Sequence, residues 1–385
     1  MSDRGEWGEA ALSEASTVVM GSSPPGDTYN SLGHGLPFLQ GSAEFGEHRP
    51  APVKWCSAPL KVAEPGDLLV SVRAPVGDTN FAVERTAIGR GLAAVSSTDR
   101  ATTAYLRLAI QDSATELLTR SSPGMFSSIT AKALRSFRVP LPPLPAQERI
   151  VEVIGAVDGQ ITALDAEAGA LAAVYRAATT LLWRTARGDE AAARPLGEAM
   201  RLDIARTPMV AGTVYRLAGV LSAGNGLVDK GEFDGADTEY ATMNVLRENQ
   251  VVMRQLTAWE GPITVVPAEF DGFVASNEFP TFTLAEDIVP GWVRHVCRTP
   301  RLWAEMESRV VGTVQRRKRL KPDQLLSVAL PVPSRLEQRR TAEALDAIEE
   351  QIAVIRDEAA GLRRARAGLL SGLLDRTIDI DSTTE

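Results

Sequence analysis

Apolar side chains recur through residues 150–182 at steps that alternate between four and three: Ile150, Ile154, Val157, Ile161, Leu164, Ala168, Leu171, Tyr175, Ala178 and Leu182. That spacing holds one narrow stripe along a helix, the seam of a coiled coil. A second run carries the same pattern at Leu345, Ile348, Ile352, Ile355, Ala359, Leu362, Leu369 and Leu373, with Thr341 and Arg366 at the remaining seam positions. Prolines precede both runs, Pro140, Pro142, Pro143 and Pro145 before the first and Pro331 and Pro333 before the second. Each run predicts a helix of roughly 35–40 residues, about 55 Å long at ~1.5 Å per residue. Gly159 and Gly169 interrupt the first, where the second has Glu350 and Ala360; each glycine costs about 1 kcal/mol against alanine and predicts a locally softer helix.

The rest of the chain is rich in glycine, proline and short apolar runs. Leu68–Arg73 follows the turn Glu64-Pro-Gly-Asp67 and reads as a strand, as do Gln250–Arg254, Pro262–Val266 and Thr281–Leu284. Ala104–Ala109, Ala114–Leu118, Trp292–Val296 and Leu302–Val310 read as helices.

A shift of 191 residues superimposes Pro140-Leu-Pro…Gln147-Glu-Arg-Ile-Val-Glu152 on Pro331-Val-Pro…Gln338-Arg-Arg-Thr-Ala-Glu343. Identities continue through Ala156/Ala347, Gln160/Gln351, Ile161/Ile352, Glu167/Glu358, Ala168/Ala359 and Leu171/Leu362. A weaker echo, Gly8-Glu9 against Gly197-Glu198, opens each half. The chain therefore reads as a tandem duplication, each half a variable unit followed by a long helix. The expected division is 1–143, a first variable domain; 144–193, a first helix; 194–333, a second variable domain; 334–376, a second helix; and 377–385, a tail. The fold expected is α+β, two mixed domains separated by two long helices that form an antiparallel coiled coil, with a pseudo-twofold internal repeat.

Charge changes this picture little. The net charge is −8, yet residues 1–143 carry 13 Lys and Arg against 14 Asp and Glu, and residues 194–333 carry 16 against 17. The acidity sits in the two helical segments, so either variable domain is free to present a basic face. Two distant cysteines, Cys56 and Cys297, exclude a disulfide framework and fit a reducing compartment. No apolar run is long enough to span a bilayer and residues 1–20 do not read as a signal peptide, which predicts a cytoplasmic protein with no membrane partner.

The whole order of unit, proline-rich box, helix, unit, box and helix resembles the specificity subunits of type I restriction–modification systems. So do Gly66-Asp-Leu-Leu-Val-Ser71 with Gly77, Phe126-Ser-Ser-Ile-Thr130 leading into Val139-Pro-Leu-Pro-Pro-Leu-Pro-Ala-Gln-Glu-Arg149, and Leu336-Glu-Gln-Arg-Arg340. The resemblance implies sequence-specific recognition of double-stranded DNA and two methyltransferase subunits as partners. It also implies a translocating nuclease subunit when restriction occurs. S-adenosylmethionine would belong to the methyltransferase, with no cofactor in this chain. Two unlike readers on a fixed rod predict a split, asymmetric target, each domain reading a short half-site. The competing readings are a structural adaptor of a related phage-defence assembly that no longer reads bases, and an enzyme with a divergent site in one domain.

Candidate DNA contacts are cations for phosphates and polar side chains for base edges, placed in or beside glycine-rich loops. The densest cluster is Arg316, Arg317, Lys318, Arg319 and Lys321. The corresponding stretch of the first half is uncharged and offers Met125, Phe126 and Ser127. Tyr29, Asn30, His34, Gln40, Arg73 and Arg90 complete the first set, and Arg216, Asn225, Arg247 and Asn277 the second. The boxes that open the long helices supply the expected docking residues for partner subunits: Gln147, Glu148 and Arg149, and Gln338, Arg339 and Arg340. Catalytic motifs are missing. Ser23-Pro-Pro-Gly26 lacks the polar and aromatic ends of an adenine methyltransferase loop, and Gly89-Arg-Gly91 is no cofactor loop. His34, His48 and His295 are not grouped with the cysteines at metal-ligand spacing.

Overall fold

The structure is a computed structural model that describes residues 7–46, 49–119, 128–183, 193–310 and 319–380. The chain divides into two compact units, one drawn from Met1–Leu164 and Glu358–Glu385, the other from Asp165–Asp357.

The first unit is built around a four-stranded antiparallel sheet in the order Thr17–Met20, Leu92–Ser96, Leu68–Ser71, Thr79–Phe81. Its central strands are apolar at nearly every position because both faces are covered. Alternation divides the two sides: Leu68, Val70, Ala93 and Val95 pack against helices, while Leu69, Leu92 and Ala94 pack against Leu39, Ala63 and Ile88. Those last three come from a second, five-stranded sheet in the order Tyr29–Asn30, Lys54–Cys56, Leu36–Leu39, Thr86–Ile88, Val62–Ala63. On the helical side, Thr103–Asp112 starts at Thr102, whose side chain accepts a hydrogen bond from the Tyr105 N–H. A two-stranded ribbon, Gly8–Ala11 with Arg138–Leu141, closes the unit just before the first long helix.

The second unit repeats this plan. Its four-stranded sheet runs Met200–Leu202, Thr281–Leu284, Val251–Met253, Ile263–Val265, the same topology strand for strand. Val251 and Met253 join the helical core, and Val252 faces the other way. Pro290 and Pro300 each sit in the first turn of a helix, Pro290–Cys297 and Pro300–Ser308, where a missing N–H costs nothing. The ribbon Ala193–Pro195 with Ala329–Pro331 closes this unit. The five-stranded sheet differs, with the order Ala205–Pro208, Thr242–Val245, Val274–Ala275, Val214–Val220, Leu227–Asp234. The strands and helices expected from the hydrophobic pattern are all present.

One register is corrected. Gly8 lies in the ribbon, whereas Gly197 lies in the short helix Leu196–Ala199. The structural equivalents are Leu12-Ser-Glu-Ala15 and Leu196-Gly-Glu-Ala199, each a one-turn helix following its ribbon strand. Leu12 N–H donates to Phe137 C=O at 2.7 Å and Leu196 N–H to Val328 C=O at 2.8 Å. The glycine-glutamate echo matches letters in the wrong register.

The long helices span Leu144–Thr180, 37 residues, and Arg335–Leu374, 40 residues. Their seam is the buried stripe: Ile150, Ile154, Ile161, Leu164 and Ala168 on one, Leu345, Ile352, Ile355, Ala359 and Leu373 on the other. Gly159 and Gly169 lie on the exposed side of an unbroken helix. In the first unit, Ile150 and Ile154 share a core with Leu370, Leu373 and Leu374, and Arg366 pairs with Asp158, so the two segments there run antiparallel. In the second, Tyr175, Ala178 and Leu182 share a core with Ala342 and Leu345. Each unit therefore contains the beginning of one long helix and the end of the other. No helix among the described residues is long and apolar enough to cross a membrane.

Candidate nucleic-acid interface

In the first unit three of the selected residues meet at one exposed edge. Gly91 N–H donates to Gln40 C=O at 3.1 Å, and Val72 N–H, next to Arg73, donates to Gly91 C=O at 2.9 Å. Arg90 Nε donates to Ser23 Oγ at 3.0 Å. Gln40, Arg73 and Arg90 are all exposed. Glycine is needed here because a Cβ at Gly91 would stand 2.2 Å from the Gln40 carbonyl oxygen. Gly89-Arg-Gly91 thus lets two chain segments touch.

Tyr29, Asn30 and His34 lie on or between the strands Tyr29–Asn30 and Leu36–Leu39, which flank Lys54–Cys56 on either side. Tyr29 is structural: its hydroxyl donates to Pro24 C=O at 2.7 Å and its ring stacks on Phe38 at 4.7 Å. Asn30 organises the turn, its Oδ1 accepting from Leu32 N–H and His34 N–H while Nδ2 donates to His34 C=O. His34 is exposed, and Leu32, which sequence reasoning passes over, is 79% exposed at the tip.

Arg73 also forms an antiparallel bridge with Ser128. The second unit has the equivalent bridge, Leu256 with Arg319, at the end of segment 311–318. Ser128 and Arg319 are 191 residues apart, the repeat shift. Both units therefore place one arginine on the same bridge, from opposite sides of it. Met125, Phe126, Ser127, Arg316, Arg317 and Lys318 lie outside the described residues.

Arg319 is half-exposed and pairs with Glu278 at 2.9 Å, beside the exposed Asn277, whose Nδ2 donates to Thr242 C=O. Lys321 is exposed at the start of the helix Pro322–Leu326. Asn225 is exposed at the tip of the hairpin between Val214–Val220 and Leu227–Asp234, and Arg247 lies in an exposed turn. Arg216 is held by its own sheet, with Asp229 at 2.6 Å and the Phe273 ring 4.2 Å from its guanidinium. Sequence reasoning misses Arg254, which donates to Leu256 C=O, Thr257 Oγ1 and Glu260 and so stiffens the strand end beside the bridge.

The boxes that open the long helices divide. Glu148, Arg149, Arg339 and Arg340 are exposed. Gln147 and Gln338 are 0% and 1% exposed and bonded within their own units, which removes both from an exposed docking face. The phase of the seam carries the signal: Gln147 precedes Ile150 and Ile154 by three and seven residues, and Gln338 precedes Leu345 by seven.

His295 is fully buried in the second unit, its Nε2 2.8 Å from Asp346 Oδ1 and its Nδ1 2.9 Å from the Tyr175 hydroxyl. A neutral ring satisfies both partners, Nε2–H donating to the carboxylate and Nδ1 accepting from the phenol. Burial, reinforced by Arg294, lowers its pKa to about 4 against the pull of Asp346. Ligand atoms of His295, Asp346 and Glu349 lie within 4.8 Å of one another. Arg294 pairs with both carboxylates and Arg298 with Glu349, so the trio is neutralised by guanidinium groups and reads as a helix-packing network.

Against known proteins, residues 59–168 match the family model for the type I restriction modification DNA specificity domain. A Methanocaldococcus jannaschii protein named for the specificity subunit of type I restriction enzyme MjaX is 41% identical over 145 residues, 37% of this chain. That match spans about a third of the relative's length, 34%. The crystal structure of a type I restriction–modification S subunit from M. genitalium covers 97% of both chains with a TM-score of 0.58 at 13% identity, a likeness of fold. Residues 59–168 are thus similar in sequence to the type I specificity domain, and nearly the whole chain shares the fold of a type I S subunit.

Proposed function

We propose that this chain is the DNA-reading subunit of a type I restriction–modification complex, recognising a bipartite, asymmetric target with one short half-site per unit. The observation that carries this reading is the duplicated bridge. In two units whose four-stranded sheets match strand for strand, an exposed arginine stands on an equivalent isolated bridge, Arg73 in one and Arg319 in the other. Arginine there suits a phosphate or the O6/N7 edge of guanine, and Gln40, Arg90, Asn277 and Lys321 extend each surface. The chain itself performs no catalysis in this reading. It works in the cytoplasm, positioning two methyltransferase subunits, which supply S-adenosylmethionine, and a translocating nuclease subunit. The exposed Glu148, Arg149, Arg339 and Arg340 are the docking candidates.

The test is co-expression with a type I methyltransferase subunit in a host that lacks DNA methylation, followed by genome-wide mapping of modified bases. The expected result is a split motif with methyladenine in each half, absent when either subunit is omitted. A stable complex that leaves no motif would replace this reading with the structural adaptor.

A further inference from the structure

Gln147 and Gln338 occupy the fourth position of their long helices and make the same three hydrogen bonds. Gln147 Oε1 accepts from Thr102 N–H at 3.1 Å, and Nε2 donates to Arg100 C=O at 2.8 Å and Pro142 C=O at 2.9 Å. Gln338 Oε1 accepts from Val289 N–H at 2.8 Å, and Nε2 donates to Asp287 C=O at 3.1 Å and Pro333 C=O at 2.9 Å. In each unit the amide thus takes a carbonyl and the N–H two residues later, together with the carbonyl five residues before itself. A neutral primary amide alone supplies one acceptor and two donors at this reach; glutamate has no donor when ionised, and methionine has no donor and only a weakly accepting sulfur.

Both glutamines grip the backbone immediately before a helix, Thr103–Asp112 in the first unit and Pro290–Cys297 in the second. Following the chain from that grip leads to a second helix, Ala114–Thr119 or Pro300–Ser308, and then to the Ser128–Arg73 or Arg319–Leu256 bridge. A ten-residue helix is about 15 Å long, so a small rotation at its fixed end displaces the chain beyond its other end by a larger amount.

We propose that Gln147 and Gln338 are positioning residues, a duplicated latch that fixes the register between each long helix and the DNA-reading edge of the same unit. This rests on the DNA-reading function proposed above. Each latch sets the angle at which its reader meets the duplex, and so contributes to the choice of spacer between half-sites.

The experiment uses the full chain with Gln147→Met, the milder Gln147→Glu, which keeps the acceptor and loses both donors, and Gln338→Met. Two quantities are read: backbone amide exchange at Thr102 or Val289, and affinity for duplexes bearing the mapped split target with the spacer native, shortened or lengthened by one base pair. The latch predicts exchange about tenfold faster at Thr102 in Gln147→Met and at Val289 in Gln338→Met, with spacer preference reduced by a similar factor; Gln147→Glu keeps the partner of the Thr102 N–H and is read by spacer preference alone. Unchanged exchange in the two methionine variants would overturn the latch. Faster exchange with spacer preference intact would overturn the positioning role and leave a purely structural one. Should Gln147→Met fail to fold, Gln338→Met carries the same two outcomes. A failure of the DNA-reading function is seen separately, because the unsubstituted chain would then not distinguish any split target from random duplex, and the positioning role would fall with it.

Discussion

The two units solve the same mechanical problem with different residues, and the differences fall into two kinds. The four-stranded sheet, the closing ribbon and the buried glutamine are alike to the level of single hydrogen bonds. The five-stranded sheets differ in strand order, and the bridging arginine changes sides, from Arg73, just beyond the strand Leu68–Ser71, to Arg319, the partner of Leu256. The helix beside the long helices differs too. In the first unit Tyr105 reaches Pro140 C=O at 2.9 Å, whereas in the second His295 joins Tyr175 and Asp346. The frame is constrained by bonds that need a defined geometry, while the bridge keeps an arginine in both units and takes it from either side.

The largest test of that independence is Trp292→Ala, which empties the core of the second unit at a residue 1% exposed. A loss of about 3–5 kcal/mol is expected. Amide exchange should rise in Val251–Met253 and not in Leu68–Ser71; an equal rise in both would show that the units unfold as one. Protonation comes second in size. The folded pKa of His295, about 4, lies below its ordinary 6.5, so the unfolded chain takes up the proton first. Stability contributed by the neutral ring is complete above the unfolded pKa and falls as pH drops from 6.5 towards 4. The loss is on the order of 2–3 kcal/mol and should be confined to the second unit, with His295→Gln flattening the profile in pH-dependent denaturant melts.

Smaller effects sharpen the comparison of the readers. Arg73→Ala and Arg319→Ala should each weaken specific binding about tenfold and reduce the salt slope by about one, read by anisotropy at several salt concentrations. If only one of them matters, the bridges are not functional equivalents. Arg216→Ala is expected to change DNA affinity not at all, because Asp229 and Phe273 already hold the guanidinium, and to cost less than about 1 kcal/mol of stability.

The seam and the 191-residue repeat are legible in the chain itself, because periodicity and identity are written there directly by local chemistry. The convergence of Gln40, Arg73 and Arg90 is not, since it depends on the pairing of strands distant in sequence. Gln147 and Gln338 read as surface because polar side chains are exposed by default. Their place on the apolar stripe outweighs that default. Arg216 shows the converse, a cation whose partner thirteen residues later is brought opposite by a hairpin bulge that no composition reveals.

The latch glutamines touch only main-chain atoms of the reader: an amide and a carbonyl that every residue but proline possesses in full. A reader can therefore change its side chains without renegotiating its attachment. The joint is indifferent to the letters it holds, so a recognition surface is free to drift, or to be exchanged whole, while the frame stays fixed. Under the DNA-reading function proposed above, the least specific contacts are what make new specificity accessible.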